Sequence, residues 1–324
     1  MSVEDNKAVV GRWFTEFWGP DYNPAVIDEL AAPDIRFEYS MHAPLRGREQ
    51  VREFARAFRA AFPDLGFEGT AELIAEVVSR ATGIPASQMT QEEKDIVESL
   101  IEGTERLPSG TVLLERGQLA DRSTMLIEGY LLRTMIEDGQ RFVVGMHVPG
   151  DFADLHAFAL KRLDHNVVTV GETLVGYASH QRIAGVVERF PHLTRLLWFS
   201  TLLDAAIHRQ WILKMEELTA ARRVAHVFAE LWHRLEMVGL GRRDGLRTPL
   251  IQADLADMCG TTSIHMNRAL GQLKKEGVAE FRRGAVYVRD RARLEAFAGF
   301  NRDYLYGLGG LGVGTELAAP GAAG

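Results

Sequence analysis

PLIQADLADMCGTTSIHMNRALGQLKKEGVAEFRRGAVYVR, residues 249–289, decides how this chain is read. Two short runs of helical period are separated by Gly260, which permits a sharp turn. The first, 252–259, turns Leu255 and Met258 inward. The second, 263–276, is capped by Thr261 or Thr262 and buries Ile264 or Met266, then Leu270 and Leu273. Gly277 ends it, and the segment 278–289 supplies two strands around Gly284. The spacing predicts a winged helix-turn-helix whose second helix fits the DNA major groove. In such a helix Arg pairs with guanine and Asn with adenine, while Ser and Thr hold phosphates. The candidate contacts are Gln252, Thr261, Thr262, Ser263, His265, Asn267 and Arg268.

Charge is distributed in a way that fits this reading. The 324 residues carry a net charge of −7, yet residues 219–306 hold 15 Lys and Arg against 10 Asp and Glu. That leaves +5 on the segment and −12 on the rest, an acidic body with a basic end able to meet phosphates. Upstream, 220–238 reads as a helix after Thr219. Before it lies a longer one, 191–218, entered through Pro191. Its stripe of Leu196, Leu203, Ile207 and Trp211 predicts a coiled-coil-like seam with a second copy.

Between about Ser87 and Ser179 the grammar is different. A capping box, Thr90 with Glu93, opens a helix. Short apolar stretches then follow at 111–117, 123–136, 141–148 and 166–179, separated by Gly, Pro and Asp. Evenly spaced strands of this kind argue for a barrel or jelly roll, and Asp138-Gly139 reads as a hairpin turn. The first 70 residues instead alternate helices (4–17, 24–30, 48–62) with a strand-like IRFEYS at 35–40. Cys259 is the only cysteine, which excludes a disulfide within the chain and a cysteine-held cluster. No apolar run approaches the roughly 18 residues of a membrane span, and the acidic start does not suit a signal peptide. A cytoplasmic protein without membrane contact is expected. The Gly/Ala-rich end, 307–324, is expected to be disordered.

Taken together, the phrases PSGTVLLERGQ (108–118), LIEGYLLR (126–133), VPGDFADLH (148–156), the long helix and the 252–277 reader resemble the Crp/Fnr family of transcription regulators. The resemblance spans about 88–306. It implies an α+β multidomain protein, with a cyclic-nucleotide-binding-like β-roll at 89–190, a dimerisation helix at 191–218 and a winged helix-turn-helix at 219–306. It further implies a homodimer, double-stranded DNA and RNA polymerase as partners, and a small-molecule effector of unassigned identity. Arg268 stands where the family keeps a guanine-reading arginine. Two other polar readers of the best-known members fall here at Ser263 and Ile264, so their usual site sequence is not expected.

Nucleotide-binding members carry a Gly-Glu pair for the ribose and an Arg-Ser pair for the cyclic phosphate. Here the corresponding stretches are Ala153-Asp154-Leu155-His156 and Asp164-His165-Asn166. Without the arginine's charged fork a cyclic nucleotide is not expected to bind. Asp154, His156, His165 and Asn166 are the candidate effector residues, and no cofactor or metal is assigned. Residues 5–70 resemble the front half of a SnoaL-like polyketide-cyclase domain, giving a truncated α+β segment at 1–76 and a linker at 77–88. The half of that domain that closes the pocket is missing. His42, with Asp34 and Glu38, is its only acid–base cluster, and no catalytic residue is assigned. The expected function is therefore DNA-binding transcriptional regulation rather than enzymatic catalysis. The alternatives are small-molecule binding or cyclase/isomerase activity in the N-terminal segment, and a dimeric sensor that has lost DNA binding.

Overall fold

Asn23 accepts a hydrogen bond from the Ala25 amide and starts a 3₁₀ turn, Pro24–Val26, which continues into α1 (Ile27–Leu30). In this computed structural model the described residues are 9, 12–17, 22–37, 44–61, 74–75, 77–78 and 89–306. The chain divides into two units, 1–74 and 75–324. In the first, β1 (Arg36–Phe37) pairs antiparallel with β2 (Leu45–Arg46), and α2 (Gly47–Ala61) follows. Phe17, Val26, Ile27, Val51 and Ala55 form its core. Arg52 on α2 binds Asp28 on α1 at 3.0 Å. Glu38 and His42 of the expected acid–base cluster lie outside the described residues, and Asp34 is exposed. Most of the expected linker and the whole of 307–324 also lie outside them.

The second unit opens with α3 (Gln91–Leu100), whose capping box is formed as the sequence predicts. Five strands follow: β3 (Gly103–Leu107), β4 (Val112–Leu114), β5 (Arg122–Glu137), β6 (Gln140–His147) and β7 (Asn166–Ser179). All pairs are antiparallel, in the order β3-β7-β5-β6, with β4 also on β7. The β5–β6 hairpin turns at Asp138-Gly139, where both residues have positive φ (52° and 75°). That is the geometry Asp-Gly supports and most other pairs resist. A short α4 (Ala157–Leu160) precedes β7, and α5 (His180–Arg189) leaves it.

The connecting helix α6 (Pro191–Glu217) and α7 (Ala220–Met237) then lead into the C-terminal elements. These are β8 (Gly245–Arg247), α8 (Gln252–Met258), α9 (Ser263–Lys275), β9 (Glu280–Arg282), β10 (Ala285–Tyr287) and α10 (Arg291–Ala298). The wing has three strands, β8-β10-β9, rather than the two read from the sequence. One apolar cluster runs from Leu132, Val143 and Met146 of the sheet through Leu203 of α6 and Phe228 of α7 to Leu255, Met266 and Leu273. Each such buried side chain contributes roughly 1.5–3 kcal/mol. The sheet and the helix-turn-helix are thus joined by a shared core. No described helix is long and apolar enough to cross a membrane.

Candidate nucleic-acid interface

Gly260 takes φ +56° at the turn between α8 and α9. Thr262 is the cap that the sequence left undecided, accepting from the His265 amide at 3.3 Å. Met266, Ala269 and Leu273 are the buried face of α9, so of the two candidates Met266 goes inward. Ile264 goes outward and is 68% exposed. Thr262, Ser263, His265, Asn267 and Arg268 are exposed as well, and Thr261 is half-buried. Gln252 does a different job from a free contact: its amide donates to the Ser263 carbonyl (2.9 Å) and accepts from Asn267 Nδ2 (3.4 Å). It therefore ties α8 to α9 and orients Asn267.

The wing adds a groove of about 740 Å³ lined by Lys274, Arg282, Arg289 and Arg293 beside Glu280 and Tyr287. Lys274 is held by Glu280 at 2.7 Å, while Arg289 is exposed. A second cation joins the reader to the sheet. Arg141 on β6 donates to Asp254 (2.6 Å) and Asp257 (2.7 Å), both on α8. Local pattern could not reveal this link, because 113 residues separate Arg141 from Asp254.

The expected dimer stripe is corrected by the packing of α6. Leu196, Leu203, Ile207 and Trp211 are 0%, 6%, 7% and 6% exposed in the single chain. They are spent on the chain's own core, and Trp211 Nε1 donates to buried Glu230 at 3.2 Å. The outward face instead carries Trp198 (64%), Leu202 (51%) and Ile212 (65%), with half-buried Ala205 and exposed Arg209 between them. Positions 198, 202, 205, 209 and 212 alternate steps of four and three, the heptad spacing of a helix seam.

The four expected effector residues are engaged by different partners within the chain. Asp154 is buried and turned to Thr124, accepting from its amide (2.5 Å) and hydroxyl (3.1 Å), and burial pushes its carboxyl up to about 6. Asn166 accepts from the Arg116 amide at 2.7 Å. His156 and His165 come together, with ring centroids 5.6 Å apart. His165 also meets Asp164 at 2.7 Å. The charge that organises this region is Arg133, one of the two arginines, with Arg162, that the sequence offered in place of the missing one. Its side chain is 3% exposed, and its guanidinium donates to the Ala153 carbonyl at 2.6 and 3.1 Å and pairs with Asp204 on α6. Burial, reinforced by the Arg133 charge, pushes His147 and His156 down to about 4 and lowers His165. Among the described residues no group of three or more His, Cys, Asp or Glu is placed to hold a metal ion.

Comparison with known proteins agrees with this geometry. Residues 222–297 match the Crp-like helix-turn-helix domain family, and residues 10–82 match the SnoaL-like domain family. The transcriptional activator protein FnrL of Cereibacter sphaeroides is 28% identical over 202 residues, covering 60% of this chain and 80% of that protein. The nitrogen fixation regulation protein FixK of Bradyrhizobium diazoefficiens is 24% identical over 191 residues, 59% of this chain and 79% of its own length. Among solved structures, FixK2 from Bradyrhizobium japonicum shares the fold with a TM-score of 0.54 at 20% identity, covering 60% of this chain and 96% of that one. This chain thus carries a Crp-like helix-turn-helix over residues 222–297, is similar over about 60% of its length to transcription regulators of the Crp/Fnr type, and has a segment similar to the SnoaL-like domain ahead of it.

Proposed function

We propose that the protein is a homodimer that binds a near-palindromic DNA site and regulates transcription there, with RNA polymerase as its partner at the promoter. One observation carries the reading. The first two turns of α9 hold Ser263, Asn267 and Arg268 exposed on a helix whose opposite face is fixed in the core by Met266 and Leu273. A rigid helix with exposed donors at its N-terminal end is what base-edge readout needs. Selection of bound duplexes from a random pool, followed by salt titration on the winner and on random DNA, tests it. A site-specific component on top of a steep salt loss is the expected result. Binding with neither would leave the SnoaL-like segment as the seat of the activity.

Arg268→Ala is expected to cost about 1–3 kcal/mol on the selected site and to relax preference at one base pair per half-site. Thr262→Ala should weaken all sequences alike, since it removes a helix cap and a phosphate-facing hydroxyl. Competition binding on a panel of single-base variants separates the two. Equal losses on specific and random DNA for Arg268→Ala would contradict its role.

The sheet domain is read as a sensor that does not take cyclic AMP or cyclic GMP. Its buried guanidinium, Arg133, is already matched to Asp204, and Arg162 is engaged with the Gly117 carbonyl. A cyclic phosphate would have to displace an internal carboxylate to reach Arg133. Calorimetric titration with both nucleotides should show no micromolar binding and no gain in DNA affinity. For the N-terminal segment a non-catalytic role is proposed, supported by the regulator identity of the relatives.

A further inference from the structure

Two residues of the reader helix α9 have no explanation within the chain. Ile264, in its first turn, is 68% exposed, the highest value among the large apolar side chains of the described residues. A β-branched residue is a poor choice for an exposed helical position, and burial does not repay it here. Gly271 lies seven residues on, two turns along the same face. Its φ is not positive, and a Cβ added there would meet nothing within 4 Å. Glycine inside a helix sacrifices stability relative to alanine, and neither a turn nor close packing within the chain demands it. Asn267 and Arg268 stand between the two, both exposed. The face therefore reads Ile264, Asn267, Arg268, Gly271: one apolar group, two base-reading groups and one gap.

We propose that Ile264 reads the 5-methyl group of a thymine in each half-site, and that Gly271 lets the helix seat close to the sugar-phosphate edge of the groove. The inference rests on the DNA-binding reading above and adds which base chemistry is selected. Thymine is the one base that presents a methyl group in the major groove, and an aliphatic side chain is its natural contact. Ile264 is the second residue of α9, at the end of a reader helix that meets base edges. Gly271 lies deeper along the helix, where the groove wall comes closest and a side chain would hold the helix away.

Uracil substitution tests this directly, because it removes only the methyl group. Each thymine of the selected site is replaced singly by uracil, and binding is measured for the wild type and for Ile264→Ala. One position per half-site should lose about fourfold in affinity in the wild type, the effect of unburying one methyl group, and nothing in the variant. Loss at no position, or a loss that persists in Ile264→Ala, would overturn the assignment of Ile264. Gly271→Ala should raise the melting temperature and weaken binding to specific and random DNA by similar factors. Unchanged or tighter binding would overturn the role of Gly271. If no sequence is enriched from the pool at all, the DNA-binding reading itself fails, an outcome distinct from either.

Discussion

Leu202→Glu is expected to give a folded monomer that has lost tight binding to its DNA site. Leu202 is 51% exposed in the single chain and lies at the centre of the 198-202-205-209-212 face of α6, so a charge there disturbs a seam and no internal core. Joining two reader helices in one dimer makes the second half-site contact intramolecular, and losing that advantage lowers affinity by about 10²–10⁴. Leu203→Glu should behave differently. That side chain is 6% exposed and belongs to the core shared with Phe228 and Leu255, so the same charge one residue on should unfold the protein. Sedimentation velocity with a parallel melting curve distinguishes the pair. A dimeric Leu202→Glu protein would place the seam on another element.

The contrast between neighbours 202 and 203 shows where sequence reading reached its limit. Helix period located α6 to within a residue, but α6 has apolar side chains around most of its circumference, and period alone cannot rank two stripes. What decides is the presence of α7 and the sheet on one side, and those contacts are tertiary. The choice between Ile264 and Met266 failed for the same reason at smaller scale: both sit in the first turn and a half of α9, and only packing against α7 selects Met266. The capping box at Thr90, the Asp-Gly hairpin turn and the Gly260 corner were legible because each depends on a few adjacent residues. The short strand β8 was not, since three residues carry too little pattern to separate a wing strand from a loop. Functional polar groups divide along the same line. Arg268, Asn267 and Ser263 are found by their place on a local motif. Arg133 and Arg141 reach partners 71 and 113 residues away, and nothing in their neighbours announces it.

Arg133 and Asp204 should respond very unequally to substitution. Asp204→Ala leaves a guanidinium, on a side chain that is 3% exposed, with one carbonyl partner and no counter-charge. Removing one member of a buried pair in this way costs about 3–5 kcal/mol. Arg133→Met removes the stranded charge, keeps much of the volume, and leaves a carboxylate that is 26% exposed and able to recover water, so its cost should be clearly smaller. The double variant should lie near Arg133→Met alone, showing a coupling that chemical denaturation can measure. Acid dependence gives a second readout. His147 and His156 are held down to about 4 by burial and by the Arg133 charge, whereas an unfolded histidine takes its proton near pH 6.5. Between those values the unfolded chain binds more protons, so their contribution is complete above pH 6.5 and is lost as pH falls toward 4. Asp154, pushed up to about 6, acts in the opposite sense: its contribution is complete below about pH 4 and is lost as pH rises through 6, which partly offsets the histidines. Without Arg133 the folded-state values of the histidines rise toward normal, and melting temperature should fall less steeply between pH 6.5 and 4 than in the wild type. An Arg133→Met protein with an unchanged acid slope would mean that burial alone holds the histidines neutral, and that the Arg133–Asp204 pair serves only to fix α6 against the sheet.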